Sequence, residues 1–283
     1  MGHDHLLKFT YHGPIAPLVV CLKETQLKEY SIKAIRRAID QKAVKINQQL
    51  AMKATQLVEP KSVICIDLSR LQTEEKIEII AEDEDLLIIN KPPFVTSSEE
   101  EINKRLKTHY FLCHRIDKET SGLLILAKNK AALQYMENLF YEQKVQKRYL
   151  ALVYSSQVLK DKFLVNQPLA IAKKTQFQVI MKIDPKGQSA ETFFKIAKAK
   201  HPYYLLECFP KTGRTHQIRV HLKEIKAPIL GDIVYGGKQS SAGRFLLHAE
   251  SISFAHPKTG EIQVYSAPIP KDFKREIEVI FSK

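Results

Sequence analysis

Apolar residues fall into two rhythms along this chain, and the changes between them mark out its elements. From Ile32 the spacing is helical: Ile32, Ile35 and Ile39 recur on one stripe of a helix ending at Gln41, with Ser31 as its N-cap. Lys33, Arg36 and Arg37 gather on another face of the same helix. Val44 and Ile46 then alternate as in a strand, and a further strand is predicted over residues 63–66. Residues 72–76 are charged and lack apolar periodicity, so they read as a linker. Beyond it, residues 77–81 and 86–89 are strand-like. Residues 123–127 form a continuous apolar run that stops at Lys128, as a strand buried on both faces does.

Helical spacing returns over residues 130–143, where Leu133, Met136, Leu139 and Phe140 make a core stripe. Residues 147–153 alternate and then become wholly apolar, the pattern of a strand entering the interior. Short alternating segments recur from 164 to 209, including 190–196 and 203–208, with turns at Pro185-Lys186-Gly187 and at Pro202. Thr215 is placed to cap a helix whose buried stripe is Ile218, Leu222 and Ile225. The predicted class is α+β. A small α+β domain over residues 1–75 precedes a larger domain over 76–283, built on a mainly antiparallel mixed sheet with flanking helices.

Composition sharpens this outline in one respect. With 283 residues, 27% charged and 44% hydrophobic, the chain is long enough for two ordinary globular cores. Its formal net charge of +13 is not ordinary, and it favours polyanions, nucleic acid ahead of membrane. Cys21, Cys65, Cys113 and Cys208 lie far apart without a C-x-x-C pair, which argues against structural zinc and a disulfide framework. Cys113, beside Phe111 and Leu112, reads as a buried thiol. His216 and His221 are five residues apart and do not share a helix face, so they make a poor metal pair. Without an apolar run of membrane length or a signal-peptide core at the start, a cytoplasmic protein is expected.

The candidate chemistry centres on Asp117. This carboxylate stands in a polar turn at the mouth of the buried strand, where it needs a cation; Arg219 is the candidate partner. Local sequence leaves two readings open, a structural ion pair or turn cap, and a catalytic carboxylate. The surrounding residues, His114-Arg115-Ile116-Asp117 with Thr120-Ser121-Gly122-Leu123-Leu124, resemble the HRLD-x-x-TSG-L-L motif of the RluA-type pseudouridine synthases, with Ile116 in place of Leu. Further likenesses follow in the family order. They are the segment ending Asn90-Lys91-Pro92, a K-x-Y motif at Lys147 and Tyr149, and G-R-T-H-Q from Gly213 to Gln217. A P-I-L-G-D loop ending at Asp232 and L-H-A at Leu247-His248-Ala249 complete them. Phe94 stands where the family often has Gly, and residues 93–113 are short for it. In the first domain, the basic helix followed by K-A-V-K-I-N-Q resembles the S4 RNA-binding domain, with Lys42 or Ala43 where a Gly is expected.

The resemblance implies isomerisation of uridine in RNA to pseudouridine, with large-subunit ribosomal RNA the first substrate and transfer RNA the second. Asp117 would act as nucleophile at the sugar or, on a glycal-like path, as base. Arg219 would keep it ionised and oriented, and Tyr149 would pack on the uracil and help remove a proton. Arg115 would fill the space left by a flipped base, and Ile218 and Leu247 would line the pocket. His114, Thr120, Gly122 and His216 complete the expected substrate contacts. Lys33, Arg36, Arg37, Lys91, Lys147 and Arg214 are the expected RNA contacts, Lys91 through a phosphate or as structural support. No cofactor or metal and no membrane partner are expected, and the chain is expected to be a monomer. Two other classes compete: an RNA-binding module without catalysis, and a nucleosidase that releases uracil. The intact Asp117, Tyr149 and Arg219 argue against the first, and the charge and the S4-like domain against the second.

Overall fold

The computed structural model describes residues 6–28, 30, 32–68, 71, 76–175 and 179–282, with the backbone alone for Lys33. The chain separates into two compact units, residues 1–75 and 76–283. The expected roles of Ser31, of the Lys33 side chain and of linker residues 72–75 lie outside the described residues. No described helix is long and apolar enough to cross a membrane.

The first unit carries a four-stranded antiparallel sheet in the order Leu6–Thr10, Val63–Asp67, Val44–Ile46, Gln49–Leu50. Helices Leu18–Glu24 and Ile32–Asp40 close its core, in which Leu18, Leu22, Ile35, Ile39, Val44, Ile64 and Ile66 are buried. Ile32 corrects the sequence expectation: it is 49% exposed, and Ala34 and Ala38 join Ile35 and Ile39 on the buried face. The helix ends in a Schellman turn, with Lys42 N–H donating to Ile39 O and Ala43 N–H to Ala38 O. Lys42 adopts φ +58° there, the left-handed conformation for which glycine is the usual residue.

The second unit is organised by a ten-stranded sheet. Its main path runs Lys162–Asn166, Glu191–Lys200, Tyr203–Pro210, Gln146–Tyr154, Leu247–Ala255, Ser121–Ala127, Leu86–Lys91, Glu78–Glu82. All neighbours on this path are antiparallel except Ser121–Ala127 and Leu247–Ala255. Those two run parallel and pair only at Ser121 with His248 and Gly122 with Ala249. Beyond that point Leu247–Ala255 takes Ile262–Ser266 as its partner, so the sheet forks where the Asp117 turn enters it.

Ser121–Ala127 is buried throughout, as its unbroken apolar run predicts. Its side chains divide with the period of two that a strand imposes. Leu123, Ile125 and Ala127 pack with Leu86, Ile88 and the helix Lys130–Tyr141, while Leu124 and Leu126 pack with Leu87, Ile89 and Ile102. Asn129 caps that helix by accepting the Ala132 N–H at 2.8 Å. Ile102 belongs to a helix absent from the sequence expectation, Glu99–Leu106, which occupies much of the short stretch 93–113. Ser98 caps it, accepting the Glu101 N–H, and three glutamates in its first turn suit the helix dipole.

The helix Gln217–Glu224 also differs from expectation. Thr215 does not cap it; the preceding residue, His216, is left-handed at φ +55° and makes no side-chain cap, and Ile225 lies beyond the last turn. The buried amide of Gln217 does the local work, accepting from Arg214 N–H at 3.0 Å and from the Thr212 hydroxyl at 2.6 Å. Residues Gln217 to Leu222 are buried on all sides, so the helix is an interior element rather than a one-faced one.

Candidate active site

The turn bearing Asp117 is held by its main chain from several directions. Thr120 N–H donates to Asp117 O at 3.0 Å and closes the turn. Lys118 O accepts from Phe94 N–H at 2.7 Å and from the Lys91 ammonium at 3.2 Å. Ser97 donates its hydroxyl to Ile116 O at 2.8 Å, and Arg244 donates to Glu119 O at 3.2 Å. Arg244 is itself buried and anchored by a bidentate pair with Asp272, at 2.7 and 3.0 Å. The turn then meets the sheet fork at Gly122, where φ is +112° and a Cβ would stand 2.1 Å from Ala249 O. Any side chain there would force the two parallel strands apart.

Onto this fixed turn the molecule presents a carboxylate with one oxygen engaged. Arg219 donates from Nη1 to Asp117 Oδ2 at 3.0 Å. Its Nε and Nη2 grip Asp232 at 2.7 and 3.0 Å. The guanidinium lies between the rings of Tyr235 and Phe245, at 4.8 and 4.2 Å from their centroids. Burial works against the charge of Arg219, but the two carboxylates more than offset it, and the group titrates above its ordinary value. His216 completes the group, with Nε2 at 3.9 Å from Asp117 Oδ2. Among the described residues Asp117 Oδ1 has no hydrogen-bond partner, and the side chain is 25% exposed. The arrangement is a rigid, oriented carboxylate with one free oxygen, backed by a dry cation.

Tyr149 reaches the same place from the strand Gln146–Tyr154, where the register against Leu247–Ala255 shifts between Arg148 and Tyr149 and Glu250 is the extra residue. Its side chain packs on the core cluster that contains Ile218 and Leu247. Burial, and then the charge of Asp117, push its phenol above the ordinary value. The phenol therefore carries its proton at neutral pH, and its ring packs in this cluster.

Of the other expected contacts, those of His114, Thr120, Gly122 and Lys91 are corrected. His114 Nε2 accepts the Ile125 N–H at 3.1 Å and its ring lies against Phe140, so it extends the sheet instead of facing a substrate; burial lowers its pKa to about 3. Thr120 and Gly122 are buried and shape the turn. Lys91 is fully buried and donates to the carbonyls of Pro92, Val95 and Lys118, which takes it away from phosphates and makes it structural. Lys147 shares the sheet face of Tyr149, donates to Thr212 O at 3.2 Å and is lowered by burial to about 8. Arg115 and Arg36 are exposed, Arg37 is half-buried, and the exposed Arg214 donates from Nε to Ser189 O at 3.1 Å. Cys113 is buried, and its thiol is pushed up to about 12.

Asp232, Tyr235 and Arg244 escaped the sequence reading as functional residues. For Asp232 a signal existed: a guanidinium has five donors, and one partly exposed carboxylate cannot satisfy them in the interior. For Arg244 there was none, because its partner Asp272 lies 28 residues away.

The known proteins similar to this chain fall in one class. Residues 85–224 match the RNA pseudouridylate synthase family. Ribosomal large subunit pseudouridine synthase C of Buchnera aphidicola is 35% identical over 266 residues, covering 86% of this chain and 84% of its own. An uncharacterized RNA pseudouridine synthase of Helicobacter pylori is 38% identical over 205 residues, 72% of this chain and 79% of its own. Among solved structures, human RNA pseudouridylate synthase domain containing 4 superposes with a TM-score of 0.60 over 72% of this chain and 92% of that one, at 23% identity, a likeness of fold. The chain belongs to the RNA pseudouridine synthase family and is an RNA uridine isomerase.

Proposed function

We propose that the chain converts one or more uridines of large-subunit ribosomal RNA to pseudouridine in the cytoplasm, acting as a monomer, with Asp117 as the nucleophile. In this reaction the C1′–N1 bond breaks, the uracil turns, and C1′ bonds to C5, which loses its proton while N1 gains one. Asp117 Oδ1 attacks C1′ as N1 leaves, holds the sugar while the base turns, and is released as a carboxylate when C5 bonds to C1′. Arg219 pairs with the carboxylate and aims it, Tyr149 packs against the uracil, and Arg115 occupies the place of the extruded base. The observation that carries this reading is the Asp117–Arg219 contact of 3.0 Å on a turn fixed by four separate main-chain grips. The choice of ribosomal RNA is supported by the name of the Buchnera relative, with which this chain shares most of its length.

Residues 1–75 supply an S4-like RNA-binding domain in this reading, supported by the basic helix face, the strand that follows it and the charge of +13. Arg36 and Arg37 contact phosphates, so neutralising both should weaken binding and flatten its salt dependence by about one to two counterions. The test of the whole reading is pseudouridine mapping of ribosomal and transfer RNA treated with wild-type protein and with Asp117→Ala. A discrete new pseudouridine in large-subunit RNA, made by wild type alone, is expected. Modification of transfer RNA only would move the substrate, and activity in Asp117→Ala would move the chemistry.

A further inference from the structure

His216 is held in a manner that its place beside Asp117 alone does not require. Its left-handed backbone costs a residue with a side chain about 1–3 kcal/mol, so its surroundings must over-determine it. They do so through Tyr235, at the end of the short helical turn Ile233–Tyr235. The Tyr235 hydroxyl accepts the Met181 N–H at 2.9 Å and lies 2.8 Å from His216 Nδ1. With its acceptor side engaged by an N–H, the hydroxyl has its own proton to give, and Nδ1 is the group in line to receive it. That assignment leaves the imidazole proton on Nε2.

His216 Nε2 faces Asp117 Oδ2 at 3.9 Å, too far for a direct hydrogen bond, and has no hydrogen-bond partner among the described residues. The charged groups around the ring are Asp117, Arg219 and Asp232, with Tyr235 on its other side, and burial holds the imidazole neutral. The His216 side chain is 16% exposed, so this N–H is the edge of the ring open to an incoming acceptor. The space it faces is the space beside the reacting carboxylate.

We propose that Tyr235 is a positioning residue that locks His216 as an Nε2–H donor to an acceptor oxygen of the target uridine. The inference rests on Asp117 as the reacting carboxylate. Tyr235 contributes to the same centre a second time, since its ring lies over the Arg219 guanidinium. Tyr235→Phe keeps the ring over Arg219 and removes the hydroxyl, and with it the contact to His216 Nδ1 and the acceptor of the Met181 N–H.

The experiment measures turnover, on the RNA that mapping identifies, for Tyr235→Phe, His216→Ala, His216→Gln and Asp117→Ala, with melting temperatures alongside. Tyr235→Phe should lower kcat about tenfold with KM within about twofold. Its acid limb should move to higher pH, because a freed Nδ1 takes up a proton more readily. His216→Ala should lose at least as much, and His216→Gln should recover part of it, because its amide N–H can replace Nε2–H. Wild-type kcat in both Tyr235→Phe and His216→Ala would overturn the proposal. So would a loss in His216→Gln equal to that in His216→Ala. Should Tyr235→Phe fail to fold, the Ala and Gln pair still decides. An inactive Asp117→Ala beside fully active Tyr235 and His216 variants sinks this inference alone; an active Asp117→Ala sinks the reading beneath it.

Discussion

Among its described residues the second unit holds two clusters that each combine carboxylates, a histidine and a cation, and the two are backed differently. In the first, Asp117, His216, Arg219 and Asp232 meet around a guanidinium that is 6% exposed. In the second, Asp83 pairs with His256 at 3.1 Å, and Lys258 pairs with Glu84. Here the side chains of Asp83 and Lys258 are 41% and 63% exposed. Asp83 Oδ1 accepts the N–H groups of Asp85 and Leu86, both at 2.8 Å, so it behaves as a turn cap that a histidine also touches. The residue types are nearly the same in the two places. What differs is the backing: a dry, aromatic-walled cation and a braced turn leave Asp117 one oxygen to spare, whereas Asp83 spends its oxygens on the fold. In the proposed reaction it is this unspent atom, and the rigidity behind it, that supplies the chemistry.

The largest expected effect breaks the first cluster. Arg219→Leu leaves Asp232 buried and without its cation, and should cost about 3–5 kcal/mol in a urea unfolding measurement, with loss of turnover. A small loss would mean that water reaches Asp232 and that the dry backing is not what holds the site.

An intermediate effect comes from the buried histidine at the fork. His248 accepts the Ser121 hydroxyl at Nδ1 and lies 3.2 Å from Ala267 O through Nε2, and burial lowers its pKa to about 4. Its folded pKa lies below the ordinary 6.5, so the unfolded chain binds the proton first. The contribution is present above about pH 6.5 and is lost as pH falls towards 4; for this one group it is on the order of 3 kcal/mol. Urea midpoints should therefore fall steadily between pH 6.5 and 4, and less steeply in His248→Gln. The smallest effect belongs to the exposed cluster: Lys258→Ala should leave both the melting temperature and turnover unchanged within error. A clear loss of turnover there would erase the contrast between the two clusters.

Much of this was legible in the chain. The run 123–127 specified its strand because five apolar residues in a row can only be buried on both faces, and the structure buries all of them. The need of Asp117 for a cation was also readable, and Arg219 meets it. The helix Glu99–Leu106 was missed although Ser98 and Glu101 have the spacing of a capping box, because its face carries only one buried residue, Ile102. The start of the last site helix was misplaced because Thr215 is a good cap in isolation, whereas the buried amide of Gln217 decides the local fold. Tyr235 and Arg244 make contacts 19 to 125 residues distant in sequence, and no local pattern announces such contacts.

The most direct test of the central claim uses Asp117→Asn, which keeps the shape of the side chain and removes its charge. RNA bearing tritium at uracil C5 releases the label when C5 bonds to the sugar, so release under single-turnover conditions reports the chemical step. The expected result is RNA binding within about threefold of wild type, with release slower by about a thousandfold or more. Release near the wild-type rate would contradict the claim that the unspent oxygen of Asp117 performs the reaction.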